Sequence, residues 1–509
     1  MAQPGEGKTI AKNTLFLYAR MLIILFVSLY TSRVILQILG IDDNGLYQTV
    51  GGIVGFLSFL NGALSTATSR FITFALGKGD EQELKKTFRA TMTAHFIIGL
   101  LIVILAETVG LWYVNNKMVI PPERFDAAII VFHISIVTSF LSIQQVPFSA
   151  EIIAHERMSV FAYIGIIEAF GKLGIVYLLN VGHIDKMVLF AILLMLVTVC
   201  LFIFNTTYCR RNFPEVSFRL SFDKQLFGEI FSFSGWSLMT NCAIALSGQG
   251  ITLLLNLFFP PSVVTARSVA SQVNNAASQF VGNFRTAVNP RIVKQFAAED
   301  YANSKRLLLL SAEFSFYLMF LFALPIFLLA VPLLDLWLVE VPEYASTFLQ
   351  IVIIQSLFNV FNISFFTAIS AAGRIRENAW FTTFALFACF PIVYLLFKRG
   401  ASPTVLSVAY LVANAFLAIF AKPYLLVKIV NYRWGEILRV FWNCLKVTLM
   451  AVPVPFFVYY KLGVSNLWYC AVILVVSILS VLVSVWTLGL TKEMRAQVVQ
   501  AVKARLSKR

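Results

Sequence analysis

Apolar runs of about 20 residues recur along the whole chain, and this spacing constrains its fold more than any other feature. A run of that length crosses the hydrocarbon core of a bilayer as one helix. The composition agrees, because 59% of the residues are hydrophobic and only 13% are charged. We therefore predict an all-α polytopic membrane protein. Its roughly fourteen transmembrane helices are predicted at residues 14–36, 45–72, 90–113, 125–149, 159–179, 187–208, 231–255, 262–287, 306–330, 344–370, 378–397, 403–425, 441–460 and 465–488.

The connections between these helices divide into a strongly basic set and a less basic set. Lys85, Lys86, Arg210, Arg211 and Lys428 are typical of the basic set. The positive-inside rule places this set in the cytoplasm, so both termini are predicted to be cytoplasmic and the protein to lie in the inner membrane. The net charge of +15 is then explained by the short loops, and no nucleic-acid partner is predicted.

An internal repeat indicates two halves of similar structure. The segments 69–71 and 290–292 align at an offset of 221 residues, and IVYLL occurs at both 175–179 and 392–396. Six helices per copy imply parallel repeats around a central site. The predicted divisions are an N-terminal lobe at 1–220, a C-terminal lobe at 221–440, two extra transmembrane helices at 441–490 and a basic tail at 491–509. That tail would either lie on the inner leaflet or be solvated.

The segment 262–291 is more polar than the helices that flank it. One face of a helix would carry polar residues at steps of three, four and seven, namely Arg267, Ser271, Asn274, Ser278 and Arg285. Such a face is costly inside a bilayer unless it lines a cavity that protein encloses. We therefore predict a cavity that receives a polar, anionic molecule.

Three stretches resemble a known family: LGIDDNGLY at 39–47, GGIVGFLSFLNGALSTATSR at 51–70 and FSFSGW at 231–236. With the helix number and the repeat, they resemble the oligosaccharide flippase (Wzx-like polysaccharide transporter) family of the MATE-like, or MOP, superfamily. The resemblance implies a V-shaped, two-lobed transporter that flips an undecaprenyl-pyrophosphate-linked oligosaccharide by alternating access. It also implies a role in surface polysaccharide or lipopolysaccharide biosynthesis, beside polysaccharide polymerase machinery.

A pyrophosphate group needs cations, and arginine is suited to bidentate contacts with phosphate. The arginines predicted to bind it lie in helices 1 and 8 and are Arg20, Arg33, Arg267 and Arg285. Arg20 lies deepest in its apolar run. The alternative for the other three is that their side chains extend to the membrane surface.

Sugars need amide and hydroxyl partners, and helices 7 and 8 supply them. The predicted sugar-binding residues are Asn241, Ser271, Asn274, Asn275 and Ser278. The alternative is hydrogen bonding between helices, which is common for these residue types in membranes.

Two acids inside apolar segments, Glu313 and Glu168, are predicted to couple transport to H⁺ or Na⁺. Lys172 lies four residues after Glu168, so an ion pair on the helix surface is the alternative there. Glu313 has no local partner in the sequence, although an arginine of another helix would provide one. The six cysteines form no CxxC pair, and neither a metal site nor a cofactor is predicted.

Two other functions compete with the flippase. A MATE-type multidrug antiporter has the same fold, but a cationic drug favours an acidic cavity rather than one lined by arginine. A membrane enzyme such as a polymerase or acyltransferase usually has a large extramembrane loop or a catalytic motif. The sequence contains neither GxxxxGK[ST], HExxH nor GxSxG, so we predict a transporter and not an enzyme.

Overall fold

Most of the residues described by the computed structural model of the protein are helical. The described residues are 6–155, 157–179, 184–217, 223–224, 226–230, 238, 241–242, 245–496 and 499–500, with side chains described from residue 21 onward at most positions. No β-strand occurs within these ranges. The predicted all-α fold is therefore confirmed.

The packing of the backbone divides the chain into two compact units. The first unit contains Met1–Thr265 and Leu338–Pro342, and the second contains Ala266–Trp337 and Glu343–Arg509. The lobe boundary predicted near residue 220 remains a prediction. By packing, the described residues 245–265 belong with the first unit.

The first unit is built from ten α-helices in the part of the chain that is described. They are α1 (Glu6–Leu39), α2 (Ile41–Leu57), α3 (Phe59–Lys78), α4 (Glu81–Leu105), α5 (Leu111–Asn116), α6 (Phe125–Gln144), α7 (Val146–Ala154), α8 (Met158–Leu178), α9 (Lys186–Asn212) and α10 (Ile251–Phe258). The next helix, α11 (Pro261–Ala297), begins in this unit and continues in the second.

The second unit holds most of α11 and nine later helices. They are α12 (Tyr301–Leu328), α13 (Ala330–Trp337), α14 (Ala345–Ala371), α15 (Ile375–Lys398), α16 (Val405–Phe416), α17 (Lys422–Val430), α18 (Trp434–Ala451), α19 (Pro453–Leu462) and α20 (Leu467–Ser484). A π-helical turn joins α16 to α17, so these two form one continuous rod.

Local sequence sets the boundaries of these helices. Gly79 ends α3 in the left-handed region at φ +73°, where a residue without Cβ is not strained. Asp80 then caps α4, because its Oδ1 accepts hydrogen bonds from the N–H groups of Gln82 and Glu83 at 2.8 and 3.2 Å. Asp185 caps α9 in the same way.

Twelve of the fourteen predicted spans are long and apolar enough to cross a membrane. Eleven are separate helical segments among the described residues, and α2 with α3 forms the twelfth, bent by 42°. Of the other two, 231–255 lies partly outside the described residues. The segment 262–287 is helical within α11, but its Arg, Asn and Gln side chains make it too polar to meet the same test.

The core of the first unit lies between α2, α6 and α9. Val50 of α2, Phe132 of α6 and Met187 of α9 are completely buried there. Burial of such side chains away from water contributes roughly 1.5–3 kcal/mol each in a soluble protein, whereas in a bilayer dispersion and close packing supply most of the gain. The unit therefore depends on shape complementarity between its helices.

One close approach in the first unit depends on a glycine. A Cβ atom at Gly45 of α2 would lie 1.8 Å from the carbonyl oxygen of Pro261 and 2.9 Å from Thr265 Oγ1. The Thr265 hydroxyl donates a hydrogen bond of 2.7 Å to the carbonyl of Ile41. The first turn of α11 is thus held against the first turn of α2, and only glycine fits at position 45.

The helices beyond the predicted repeat belong to the core of the second unit. Phe361 of α14 packs against Phe316 of α12 and Phe441 of α18, with ring centroids 5.5 and 4.9 Å apart. Val447 of α18 and Ile473 of α20 are completely buried in the same cluster. The last helices are therefore structural parts of this unit.

Charged residues from three connections meet in the first unit. The Arg124 guanidinium donates to both oxygens of Asp43 at 2.8 and 2.5 Å, and to both oxygens of Asp185 at 2.5 and 3.2 Å. Burial opposes ionisation of Asp185, but hydrogen bonds from Arg124 and from the Val188 N–H hold its pKa below the usual value. These connections follow the first, third and fifth predicted spans, so they are predicted on the same side of the membrane, and their contact agrees with that arrangement.

We expect Arg124→Ala to lower the free energy of unfolding by about 2 kcal/mol, because it leaves two half-buried carboxylates facing each other without a cation. Thermal unfolding of the protein in detergent measures the change. Arg374→Ala is the matched control, because Arg374 forms a single ion pair of 3.1 Å with Glu377 at an exposed position. Equal unfolding temperatures for the two variants would contradict the structural role of Arg124.

Candidate substrate-binding site

The helix α11 carries the predicted polar face as one uninterrupted element. It runs from Pro261 to Ala297 and contains 37 residues. The rise of about 1.5 Å per residue gives a length near 55 Å, more than a bilayer core requires. Its five predicted face residues therefore lie at different heights along one helix.

Arg267 is held in place by its own helix. Its Nη1 donates a hydrogen bond of 3.0 Å to Ser271 Oγ, and that hydroxyl donates one of 2.9 Å to the Arg267 carbonyl. The Nε atom of Arg267 is buried and has no acceptor within the described structure. Ser271 thus orients the guanidinium group and leaves part of its donor capacity for another molecule.

Arg285 has a similar unused donor near the other end of α11. It is half-buried, and its Nη1 atom is inaccessible to solvent and lacks an acceptor among the described residues. No carboxylate of those residues lies within ion-pair distance of Arg267 or Arg285. A buried donor without an acceptor costs about 1–3 kcal/mol, and more when it is charged, so an acceptor from a bound anion would stabilise both sites.

The amides and hydroxyls of α11 have mixed surroundings. Asn274 Oδ1 accepts a hydrogen bond of 2.5 Å from the Ser356 hydroxyl of α14, as the alternative of bonding between helices predicts. Asn275 is exposed and Ser278 is half-buried. The Asn275 amide is therefore accessible to another molecule, as is the amide of Gln279 four residues later.

The remaining predicted cations and Asn241 belong to the first unit, whereas Arg267 and Arg285 belong to the second. The backbone of α1 is helical at position 20, but the side chain of Arg20 lies outside what the structure describes. Arg33 is half-buried near the end of α1. Asn241 packs against Gly62 of α3 in the first unit, since a Cβ at that glycine would lie 2.6 Å from its Oδ1.

Glu168 forms the ion pair that its spacing suggests. Lys172 Nζ donates to Glu168 Oε1 at 2.7 Å, and both side chains are partly exposed. The pair borders a cavity of about 390 Å³ in the first unit, which Ser58, Thr138 and Thr198 also line. The carboxylate is thus neutralised, and a coupling role for Glu168 would have to include Lys172.

Glu313 is buried and is one of the residues that line a predominantly basic pocket in the second unit. Its Oε1 accepts a hydrogen bond of 2.9 Å from Asn443 Nδ2 of α18. Lys446 and Arg439 of α18 also act on this carboxyl group electrostatically. The pocket has a volume of about 570 Å³ and is also lined by Lys305, Arg306 and Arg433. The carboxylate is therefore not isolated.

The second unit also contains a buried cation, Lys422, that was not among the predicted site residues. Lys422 is 4% exposed, and its Nζ donates to Asn378 Oδ1 and, at 3.3 Å, to Thr382 Oγ1. The Phe366 ring lies 5.5 Å from the ammonium nitrogen. A lysine within an apolar run can indicate a buried cation. Lys422 lies near the end of the predicted span 403–425, however, where a lysine side chain can also extend to the membrane surface.

The relationship to known proteins follows from the fold. Residues 237–395 match the MatE family model. A solved structure of the lipid II flippase MurJ in an inward closed conformation superposes with a TM-score of 0.72 at 12% identity, covering 92% of this chain and 98% of that chain. The chain has the fold of the MOP-superfamily transporters.

Structures of a multidrug resistance MATE family transporter of the MOP superfamily show the same MOP fold. Its inward-facing form gives a TM-score of 0.69 at 12% identity and covers 81% of this chain and 98% of that chain. Its outward-facing form gives a TM-score of 0.56 at 12% identity and covers 80% of this chain and 96% of that chain. A search of the curated proteins by sequence found no match. The predicted MOP resemblance is thus confirmed for the fold, and the oligosaccharide flippase branch remains a prediction.

Proposed function

We propose that this protein is a flippase that moves a lipid-linked oligosaccharide, with an undecaprenyl pyrophosphate carrier, across the cytoplasmic membrane by alternating access. The observation that carries the proposal is the pair of arginines on α11 whose buried donor atoms have no acceptor among the described residues. A pyrophosphate would supply several anionic oxygens to such donors. The glycan would be handed to polysaccharide polymerase machinery for surface polysaccharide biosynthesis.

The two arginines act on the substrate one after the other. Arg267 and Arg285 are 18 residues apart on one helix, which corresponds to about 27 Å along its axis. A single pyrophosphate group is far too short to contact both. The head group would therefore bind at one arginine and then at the other during translocation, while the accessible amide of Asn275 contacts the glycan.

The similarity to the lipid II flippase MurJ supports this substrate class. That structure covers 92% of this chain, and the MATE transporter structure covers 81%. A lipid carrier with a charged head group needs a polar path for the head group beside an apolar path for the lipid. The exposed apolar surface of α18 to α20, including Trp442 and Phe457, offers such a lipid-facing wall.

A MATE-type multidrug antiporter is the second candidate, because the MatE family model matches residues 237–395. The two candidates differ in the charge of the cargo. Arginines without carboxylate partners attract anions and repel the cationic compounds that an acidic cavity would bind. The predicted coupling ion is H⁺ or Na⁺ for either candidate, with Glu313 and Glu168 as the predicted coupling residues.

Reconstitution into liposomes distinguishes the candidates. The purified protein should move a fluorescent lipid-pyrophosphate oligosaccharide between leaflets, measured as loss of its protection from an added glycosidase. Protein-free liposomes and a neutral lipid-linked analogue without pyrophosphate are the controls, and both should show only slow background exchange. Uptake of a cationic dye with no movement of the lipid-linked sugar would instead identify an antiporter.

A further inference from the structure

A cluster of three potential metal ligands lies in the first unit, apart from the polar face of α11. Glu151 is in the last turn of α7, and His155 follows four residues later at the end of that helix. This spacing brings the two side chains to the same face. Glu215 joins them from the segment that follows α9.

The three side chains are close enough to share one ion. His155 Nε2 and Glu215 Oε1 are 2.6 Å apart, and one ligand atom from each of the three residues lies within 4.8 Å of the others. In a tetrahedral site with metal–ligand distances of about 2.0–2.1 Å, neighbouring ligand atoms are roughly 3.3 Å apart. This separation lies between the 2.6 Å and 4.8 Å found here. Small rotations of the side chains would therefore complete the site.

The charges of the cluster are not balanced by the protein groups described. Glu151 is 0% exposed and Glu215 is 4% exposed. No backbone or side-chain N–H of the described residues donates to either oxygen of Glu151, and the group that lies against it is the Glu215 carboxyl group. His155 Nε2 reaches Glu215, but no described N–H or cation reaches Glu151, and a buried carboxyl group without such a partner is unfavourable. One divalent cation would neutralise both carboxylates and supply the missing partner.

We propose that Glu151, His155 and Glu215 bind a divalent transition-metal ion, of which Zn²⁺ is the best fit. An imidazole nitrogen beside two carboxylate oxygens suits zinc, whereas Mg²⁺ and Ca²⁺ prefer oxygen ligands alone. Three protein ligands leave the fourth tetrahedral position for water. The bound ion ties the end of α7 to the segment after α9.

The ring of His155 is already fixed for this role. It stacks on Phe213 with ring centroids 4.2 Å apart and an interplanar angle of 12°. Phe213 is 3% exposed and comes two residues before Glu215. The stacking and the metal would thus hold the same segment, and loss of the ion should loosen it without changing the helices themselves.

Metal analysis of the full-length protein tests this proposal. The protein is purified in detergent without a histidine tag, stripped with a chelator and titrated with ZnCl₂. We expect about one zinc ion per chain by mass spectrometry and a higher unfolding temperature with zinc than without it. Mg²⁺ at the same concentration should give no stabilisation. Glu151→Gln and Glu215→Gln, which keep the side-chain size, should each weaken zinc binding by at least about tenfold.

The chain contains its own matched control for the histidine. His133 Nδ1 and Glu107 Oε1 are 3.0 Å apart in the same unit, but both side chains are more than one-third exposed. We expect His155→Ala to lose zinc and His133→Ala to retain it. The proposal is overturned if the stripped protein binds no zinc, if His133→Ala loses it equally, or if Glu151→Gln unfolds at a higher temperature with unchanged zinc content. The last result would indicate a proton shared between two carboxyl groups.

Discussion

Gly45→Val is expected to prevent stable folding of the first unit. A Cβ at this position would lie 1.8 Å from the carbonyl oxygen and 2.4 Å from the carbonyl carbon of Pro261. Both are backbone atoms, so no side-chain rotation relieves the overlap. Overpacking of a core typically costs about 1–3 kcal/mol, and a collision with backbone exceeds that range because two helices must separate. Gly45→Ala should have a smaller effect of the same sign.

Gly51→Ala is the matched control for Gly45→Ala, because it replaces another glycine of α2 by alanine six residues later. A Cβ at Gly51 meets no atom within 4 Å. Alanine is also favoured over glycine in a helix by about 1 kcal/mol, so this variant should be as stable as the parent or more so. Detergent-solubilised yield and unfolding temperature measure both variants. If Gly45→Ala is as stable as Gly51→Ala, α2 and the start of α11 do not approach as closely as described.

Arg267→Gln combined with Arg285→Gln is expected to reduce flipping of the lipid-pyrophosphate substrate to the background of protein-free liposomes. Each arginine would contribute charge-assisted hydrogen bonds to the head group of about 1.5–3 kcal/mol. Each single variant should therefore slow flipping by roughly 10- to 100-fold. The buried donors without acceptors also predict that both single variants fold at least as well as the parent.

Arg291→Gln provides the matched control, because this arginine is on the same helix but is exposed. It should flip substrate at nearly the parental rate, with rates normalised to the protein incorporated. Flipping at the parental rate by the double variant would exclude the proposed head-group path. A loss of flipping that accompanies a fall in unfolding temperature would show that the arginines serve the fold instead.

Much of the membrane architecture follows from residue types and their spacing. Twelve predicted spans are confirmed because a helix that crosses lipid must be apolar over about 20 residues, and that requirement is local. The polar face of α11 could also be predicted, because the periodicity of a helix is a local property of the sequence. Arg267 and Ser271 are four residues apart, so the helix itself brings them to a distance of 3.0 Å.

Contacts between distant segments were much harder to predict. The sequence offered Glu313 no local partner, and the structure supplies Asn443 from 130 residues away. Glu151 and His155 lie at the end of α7 and Glu215 follows the end of α9, and nothing in the spacing along the chain indicates that Glu215 joins the other two. Such groupings depend on which helices pack together, and apolar helices of similar composition give few signals about their neighbours.

The sequence by itself determined that this chain is a multi-span helical membrane protein and that one of its helices carries arginines and amides along a single face. Hydrophobic length and helical periodicity are properties of short segments, and no tertiary contact is needed to define them. Tertiary structure decided which polar groups are satisfied. It gave Glu168 and Glu313 partners, buried Lys422, and left donors of Arg267 and Arg285 without acceptors in the described part of the chain. That outcome depends on burial and on the neighbours that packing provides.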